Sequence, residues 1–124
     1  MGTFRIKEVI QDENGIKREN LRIFDGNYVS VERSIKPSTS FYEEFDLSAL
    51  TGGSEGTIKM LKVFCERAIG FDKKPEKCNV AIGDTFLETS ELVLYDVDNF
   101  TDGKLILSKE AVNAVCNINL TIVY

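Results

Sequence analysis

Residues 112–124 read VNAVCNINLTIVY, and this stretch decides the fold class. Every second position is apolar, namely Val112, Ala114, Cys116, Ile118, Leu120, Ile122 and Tyr124. Successive side chains of a β-strand point to opposite faces of its sheet, so this period of two predicts a strand with one buried face. The pattern continues to position 124, and we therefore expect Tyr124 to be part of the folded body.

Short strand-like segments separated by turns fill the rest of the chain. Asn14-Gly15 is a strong hairpin signal between segments 4–10 and 16–24, and a third strand follows around Val29. Residues 41–50 are expected to be extended but irregular, and the charged residues 71–77 are expected to form a turn. Further strands are predicted at 78–82, 85–87, 91–97 and 104–107. Residues 92–95 are apolar on both faces, which favours an interior strand.

Residues 57–68 are ambiguous between a helix and a strand. Ile58, Leu61 and Cys65 have helical spacing, but a short strand buried on both faces would show a similar run. We favour the strand because the surrounding elements are all predicted strands.

Eight or nine short strands at near-regular spacing predict an all-β fold, an antiparallel and jelly-roll-like β-sandwich with at most one short helix. A chain of 124 residues suits one domain, with an N-terminal meander at 1–36 and the main sandwich at 37–124.

Charge and hydropathy exclude several classes of partner. Fifteen basic and twenty acidic residues give a net charge of −5, which disfavours binding to nucleic acid. The longest apolar run is only a few residues, and the N-terminus lacks the apolar segment of a signal peptide. We expect neither membrane insertion nor export by a signal peptide.

The chain contains no histidine. A Ser-His-Asp or Cys-His catalytic site is therefore excluded, and the commonest general base and metal ligand are missing. The acidic side chains show no pair at a defined separation in an apolar pocket. The sequence predicts that the protein is not an enzyme and has no catalytic residues.

An acidic segment at 96–103 is the one candidate metal site. Asp96, Asp98 and Asp102 could supply oxygen ligands to calcium. Phe100 stands where a third alternating ligand is needed, and Gly103 comes too late for an EF-hand loop. A solvated turn is the favoured interpretation, so we expect no cofactor, with calcium as the alternative.

Three cysteines, Cys65, Cys78 and Cys116, show no CxxC spacing. We expect all three to be reduced and structural, because Cys116 lies in the apolar register of the last strand. A bridge between Cys65 and Cys78 stays open as an alternative.

Two sets of side chains are candidate contact surfaces. An amide-rich set forms the polar face of the last strand and could either contact another subunit or simply be exposed to solvent. It comprises Asn113, Asn117, Asn119 and Thr121. An aromatic set could bind sugar or protein, or could close one end of the core; it comprises Tyr28, Phe41, Tyr42 and Phe45.

The succession of strands and turns over residues 35–124 resembles small β-sandwich structural proteins of tailed bacteriophages, the accessory, decoration and tail-associated modules. The segments that carry the resemblance are 37–40, 45–48, 58–64, 78–83, 91–95, 104–108 and 118–122. It implies a non-enzymatic building block, homo-oligomeric or attached to capsid or tail proteins, located in the virion or the host cytoplasm.

Two hypotheses follow. The first is an assembly protein that binds copies of itself or a capsid or tail component. The second is a carbohydrate- or cell-surface-binding module that uses Tyr28 and Tyr42, with calcium at the acidic segment.

Overall fold

A computed structural model describes residues 2–11, 13–53, 56–99 and 103–124 of the chain. Within these residues it contains eleven strands and one helical turn: β1 (Gly2–Gln11), β2 (Lys17–Gly26), β3 (Tyr28–Ile35), β4 (Phe41–Asp46), α1 (Leu47–Leu50), β5 (Gly56–Ile69), β6 (Asp72–Pro75), β7 (Cys78–Ile82), β8 (Thr85–Thr89), β9 (Glu91–Asn99), β10 (Lys104–Lys109) and β11 (Val115–Val123).

Nine of these strands form two antiparallel sheets. The four-stranded sheet has the order β4-β10-β7-β8. In the five-stranded sheet β11 lies between β3 and β5 and pairs with both. The other edge of β5 pairs with two strands, first with β9 and then, towards the end of β5, with β6. β1 and β2 form a separate hairpin. The prediction of an all-β antiparallel sandwich with one short helix is therefore confirmed.

The alternation in the last strand places one set of side chains in the core. Cys116, Ile118, Leu120 and Ile122 of β11 are at most 2% exposed. They belong to one apolar cluster with side chains of the four-stranded sheet, including Val80, Leu105 and Leu107. Residues 117, 119 and 121 alternate with this set and therefore lie on the outward face of the five-stranded sheet.

Residues 57–68 form a strand, as favoured from the sequence. They belong to β5, which is paired along both of its edges. Leu61, Val63 and Cys65 are buried in the core, and the intervening Lys62 and Phe64 are partly exposed. The helical spacing was coincidental, because strand pairing satisfies the backbone of this segment instead.

Three expectations about strand pairing were wrong. β3 pairs with β11 rather than with β2, so the N-terminal meander ends after two strands. The charged segment 71–77 is not simply a turn, because it contains β6, which pairs with the end of β5. Residues 92–95 belong to β9, which within the described chain pairs only with β5 and is thus an edge strand. Side-chain patterns predict strands well, but they do not name the neighbour of a strand.

The base of the β1–β2 hairpin is bonded to the end of β11. The Asn27 N–H donates to the Tyr124 carbonyl at 2.7 Å, and the Tyr124 N–H donates to the Asn27 carbonyl at 2.9 Å. Gly26 is buried beside this pair, and a Cβ atom at that position would lie 2.5 Å from the Tyr124 carbonyl oxygen. Glycine is therefore required there for the close approach of two backbones. Tyr124 is part of the folded body, as expected.

Helical structure is minimal in the described chain. The single turn α1 starts from Asp46, whose side chain accepts a hydrogen bond from the Ala49 N–H at 3.2 Å. Among the residues that the structure describes, no helix has the length and apolar character needed to span a bilayer.

Candidate protein interface

The outward face of the five-stranded sheet carries a groove of about 750 Å³ in volume. Side chains from four strands line it, and their rigid strand backbones fix their positions. The outward-facing lining residues are Glu32, Ser34, Lys62, Phe64, Glu66, Lys73, Asn117, Asn119 and Thr121. The groove therefore combines amides, hydroxyls, charges of both signs and one aromatic ring.

Asn119 lies at the centre of the groove because β11 pairs with β3 on one side and with β5 on the other. Its directly opposed neighbours are Glu32 and Phe64. The Asn119 Nδ2 donates to Glu32 Oε1 at 3.1 Å, and the Thr121 hydroxyl donates to Asn119 Oδ1 at 3.1 Å. These two bonds fix the orientation of the amide and leave one N–H and one acceptor site of Asn119 available for a ligand.

Both lysines of the groove are paired with acidic side chains. Lys62 Nζ lies 3.7 Å from Glu91 Oε1, and Lys73 Nζ lies 3.8 Å from Glu66 Oε1. Both pairs are partly exposed, so each contributes little to folding stability. The groove consequently presents balanced charge rather than a field of one sign, which suits a partner with both donors and acceptors more than a simple anion or cation.

Three of the four predicted interface residues come together in this groove. Asn117, Asn119 and Thr121 line it side by side on β11. Asn113 precedes β11 and lines a different, smaller depression with Arg67 and Gly70. Asn113 is thus separated from the other three, because the strand begins at Val115 rather than at position 112.

The remaining groove residues come from β3, β5 and β6 and were missed from the sequence. The available signal was the alternation within β5, where Lys62, Phe64 and Glu66 interrupt the buried Leu61, Val63 and Cys65. That pattern could have indicated a polar outward face, but it could not have placed that face beside β11.

The predicted aromatic patch is divided between the two sheets. Tyr28 is 50% exposed on β3, whereas Tyr42 is 66% exposed on β4 of the other sheet. Phe41 is partly buried against the core and Phe45 is a buried member of it, in agreement with the alternative that such rings close the sandwich. Tyr42 donates a hydrogen bond to Glu44 at 3.1 Å, and this bond is the main cause that raises the pKa of Tyr42 above 10.0. These rings do not form one coplanar platform.

The acidic segment is only partly described. Asp96 is an exposed residue of β9 with a left-handed φ of 53°, and Asp98 pairs through its backbone with Thr57. Asp102 lies outside the described residues. Among the side chains that the structure describes, no three acidic or cysteine groups are close enough together to hold a metal. Calcium binding at this segment stays a prediction.

The three cysteines are free, buried thiols that belong to the apolar core. The Cys65 thiol donates a hydrogen bond to Cys78, which raises the pKa of Cys65 and lowers that of Cys78; burial adds to the rise at Cys65, and Lys109 adds to the fall at Cys78. Burial is the main cause that raises the pKa of Cys116. Each residue is at most 2% exposed, so in the folded chain these thiols act as packing groups.

Comparison with protein-family models, with curated proteins and with solved structures finds no match to this chain.

Proposed function

We propose that this protein is a non-enzymatic assembly protein that binds a segment of another protein in the groove on its five-stranded sheet. The observation that carries this proposal is the oriented amide of Asn119, held by Glu32 and Thr121 at the centre of that groove. An amide held in this way offers one donor and one acceptor side by side, which is also what a peptide backbone offers in return.

The charge pattern supports a polypeptide as the partner. Lys62 and Lys73 lie at the groove beside Glu66 and Glu91, with which they are paired. A protein segment with mixed polar side chains can complement both signs, and binding should weaken as salt screens these exposed charges.

The resemblance of residues 35–124 to tailed-bacteriophage modules supports a more specific form of the proposal. In this form the protein is a virion accessory, decoration or tail-associated module, located in the virion or the host cytoplasm, and its partner is a capsid or tail protein or another copy of itself.

A selection with a displayed library of random peptides tests the proposal without knowledge of the natural partner. Three immobilised proteins are compared: the wild type, Asn119→Arg in the groove, and the matched control Asn79→Arg. Asn79 is a partly buried residue of β7 in the other sheet, so its replacement introduces the same side chain away from the groove. We expect related peptides to be enriched on the wild type and the control and to be lost on Asn119→Arg. Enrichment that is equal on all three proteins, or absent from all three, would overturn the proposal.

A carbohydrate-binding role is the second candidate, and Phe64 is the observation that favours it. This ring lies in the groove beside Asn119, and an aromatic face next to amide and carboxylate groups can recognise a sugar. A glycan array probed with the same three proteins separates the two candidates. Glycan binding that is lost on Asn119→Arg, together with no peptide enrichment, would replace the protein partner with a sugar.

A further inference from the structure

The outer edge of the four-stranded sheet is an unprotected strand with two neighbouring exposed apolar side chains. In the described part of the chain β8 pairs only with β7, so its other edge is open. Phe86 is 69% exposed and Leu87 is 42% exposed, and every other residue of β8 except Thr89 is exposed as well. An open strand edge presents unpaired backbone groups that can pair with another strand.

Another edge of the sandwich carries the protection that β8 lacks. The edge strand β6 reads DKKP and contains Lys73, Lys74 and a proline, which are residues that oppose pairing between sheets. β8 reads TFLET, with a single charged residue and no proline. This contrast indicates that β8, unlike β6, is suited to pairing with another strand.

Leu87 faces the core side of its sheet but is not covered. Its directly opposed neighbour on β7 is Val80, which is fully buried in the core. Leu87 therefore continues the apolar surface of Val80 beyond the part of the sheet that the second sheet covers. Contact with an equivalent apolar side chain would remove this surface from water.

We propose that β8 pairs antiparallel with β8 of a second copy of this chain, around a two-fold axis at Leu87. This inference rests on the proposed assembly role and adds to it a second surface with a defined occupant. The pairing joins two four-stranded sheets into one continuous sheet, which is a self-complementary contact of the kind that a two-fold axis requires.

The sequence of β8 is compatible with this register. Leu87 lies opposite Leu87 of the second copy, Phe86 opposite Glu88, and Thr85 opposite Thr89. No two like charges are directly opposed, and the leucine and threonine pairs fall on the same face of the joined sheet. A strand of five residues offers a small contact, so the dimer is concentration-dependent.

Cysteine cross-linking tests the register directly. The variant Leu87→Cys brings two identical positions together across the axis, whereas the control Thr85→Cys brings each new thiol opposite Thr89. The three native cysteines are buried, so they should contribute little cross-linking of their own. With oxidised glutathione as the oxidant, we expect Leu87→Cys to double in mass on a non-reducing gel much faster than Thr85→Cys. Equal rates for the two variants would overturn the register.

Light scattering over a concentration series tests the pairing without a cross-link. We expect Leu87→Lys to remain monomeric under conditions in which the wild type and Phe71→Lys form dimers. Phe71 is a fully exposed apolar residue outside β8 and serves as the matched control. A wild type that stays monomeric, or a dimer unaffected by Leu87→Lys, would overturn the proposal.

The groove variant Asn119→Arg keeps the two proposals separate. If β8 pairs as proposed, this variant dimerises normally even though it has lost peptide binding. If peptide binding is found but cross-linking fails, only the pairing of β8 is wrong.

Discussion

Arg33 and Glu43 join the edges of the two facing sheets. Arg33 Nε on β3 donates to Glu43 Oε2 on β4 at 3.0 Å, and Arg33 Nη2 donates to Oε1 at 3.1 Å. The guanidinium carbon also lies 5.8 Å from the centre of the buried Phe45 ring. A planar guanidinium can make the two-pronged bond and cover the ring at once, which a lysine could not.

A double-mutant cycle on Arg33→Ala and Glu43→Ala should give a small coupling free energy. The two side chains are 44% and 31% exposed, so solvent screens their attraction. We expect about 0.2–1 kcal/mol, measured by urea unfolding, and a decrease when salt is added. A coupling well above this range would mean that the pair is more shielded from water than its exposure indicates.

Replacement of Gly26 by alanine should destabilise the junction between the hairpin and β11. The added Cβ would lie 2.5 Å from the Tyr124 carbonyl oxygen, so the backbone must move and the bonds between Asn27 and Tyr124 must lengthen. We expect a loss of about 1–3 kcal/mol in the free energy of unfolding. Amide hydrogen exchange at Asn27 and Tyr124 should accelerate as well. The exposed Ser30→Ala is the control, and an equal effect of both substitutions would contradict this account.

Truncation of a leucine in the core should cost more unfolding free energy than truncation of a leucine at the open edge of the sheet. Leu107 is fully buried between the sheets, whereas Leu87 is 42% exposed on β8. We expect Leu107→Ala to lower the free energy of unfolding by about 2–5 kcal/mol. Leu87→Ala, measured at concentrations where the chain is monomeric, should cost clearly less. Similar losses would show that Leu87 is more enclosed than its 42% exposure indicates.

Stability should fall when the pH rises above the ordinary thiol pKa of 9.0. The pKa values of Cys65 and Cys116 are raised in the folded chain, so above pH 9 the unfolded chain has released protons that the folded chain still holds. The unfolded state then binds fewer protons, and the free energy of unfolding decreases with pH. The lowered pKa of Cys78 acts in the opposite direction, but below pH 9, since above it both states have lost that proton.

Urea unfolding in a reducing buffer at pH values on both sides of 9 measures this dependence. The variant Cys116→Val removes one of the two raised thiols while it conserves an apolar side chain of similar size. We expect a shallower decrease in stability above pH 9 for this variant. An unchanged slope would mean that Cys116 does not retain its proton in the folded state.

Replacement of Lys109 by methionine should leave two acceptors without their donor. The Lys109 side chain is 8% exposed and donates to Glu76 Oε1 at 3.1 Å and to the Lys77 carbonyl at 2.7 Å. We expect a loss of about 1–3 kcal/mol in the free energy of unfolding. Lys104→Met, which removes an exposed lysine of the same strand, is the control and should have a smaller effect. Equal losses would argue against a role for these two bonds.

The strands of this protein could be predicted because they depend on local patterns. β7 was predicted with its bounds, and β11 was predicted with the correct buried face, since alternation of side chains is a property of a few neighbouring residues. The pairing of β3 with β11 could not be predicted in this way. It joins Val31 to Leu120, and no local pattern shows which of several strands will be adjacent in space.

The part of the candidate site that lies on one strand could be predicted, and the part that depends on neighbouring strands could not. Asn117, Asn119 and Thr121 share one face of one strand, so their proximity follows from the period of two. Glu32 and Phe64 join them only because β3 and β5 both pair with β11. The contacts of Asn119 with Glu32 and Phe64 therefore could be identified only from the structure.

The central pair of strands, β5 and β11, also sets the order of events during synthesis. The register joins Ala68 to Val115 and Met60 to Val123, so its partners are more than forty residues apart in the chain. Contacts at such a separation are costly to close, and proteins that depend on them fold slowly. While the ribosome is still producing residues 69–114, β5 has no partner along this edge, and its apolar residues are exposed to other chains. The emergence of β11 therefore marks the moment at which the nascent protein can complete its core.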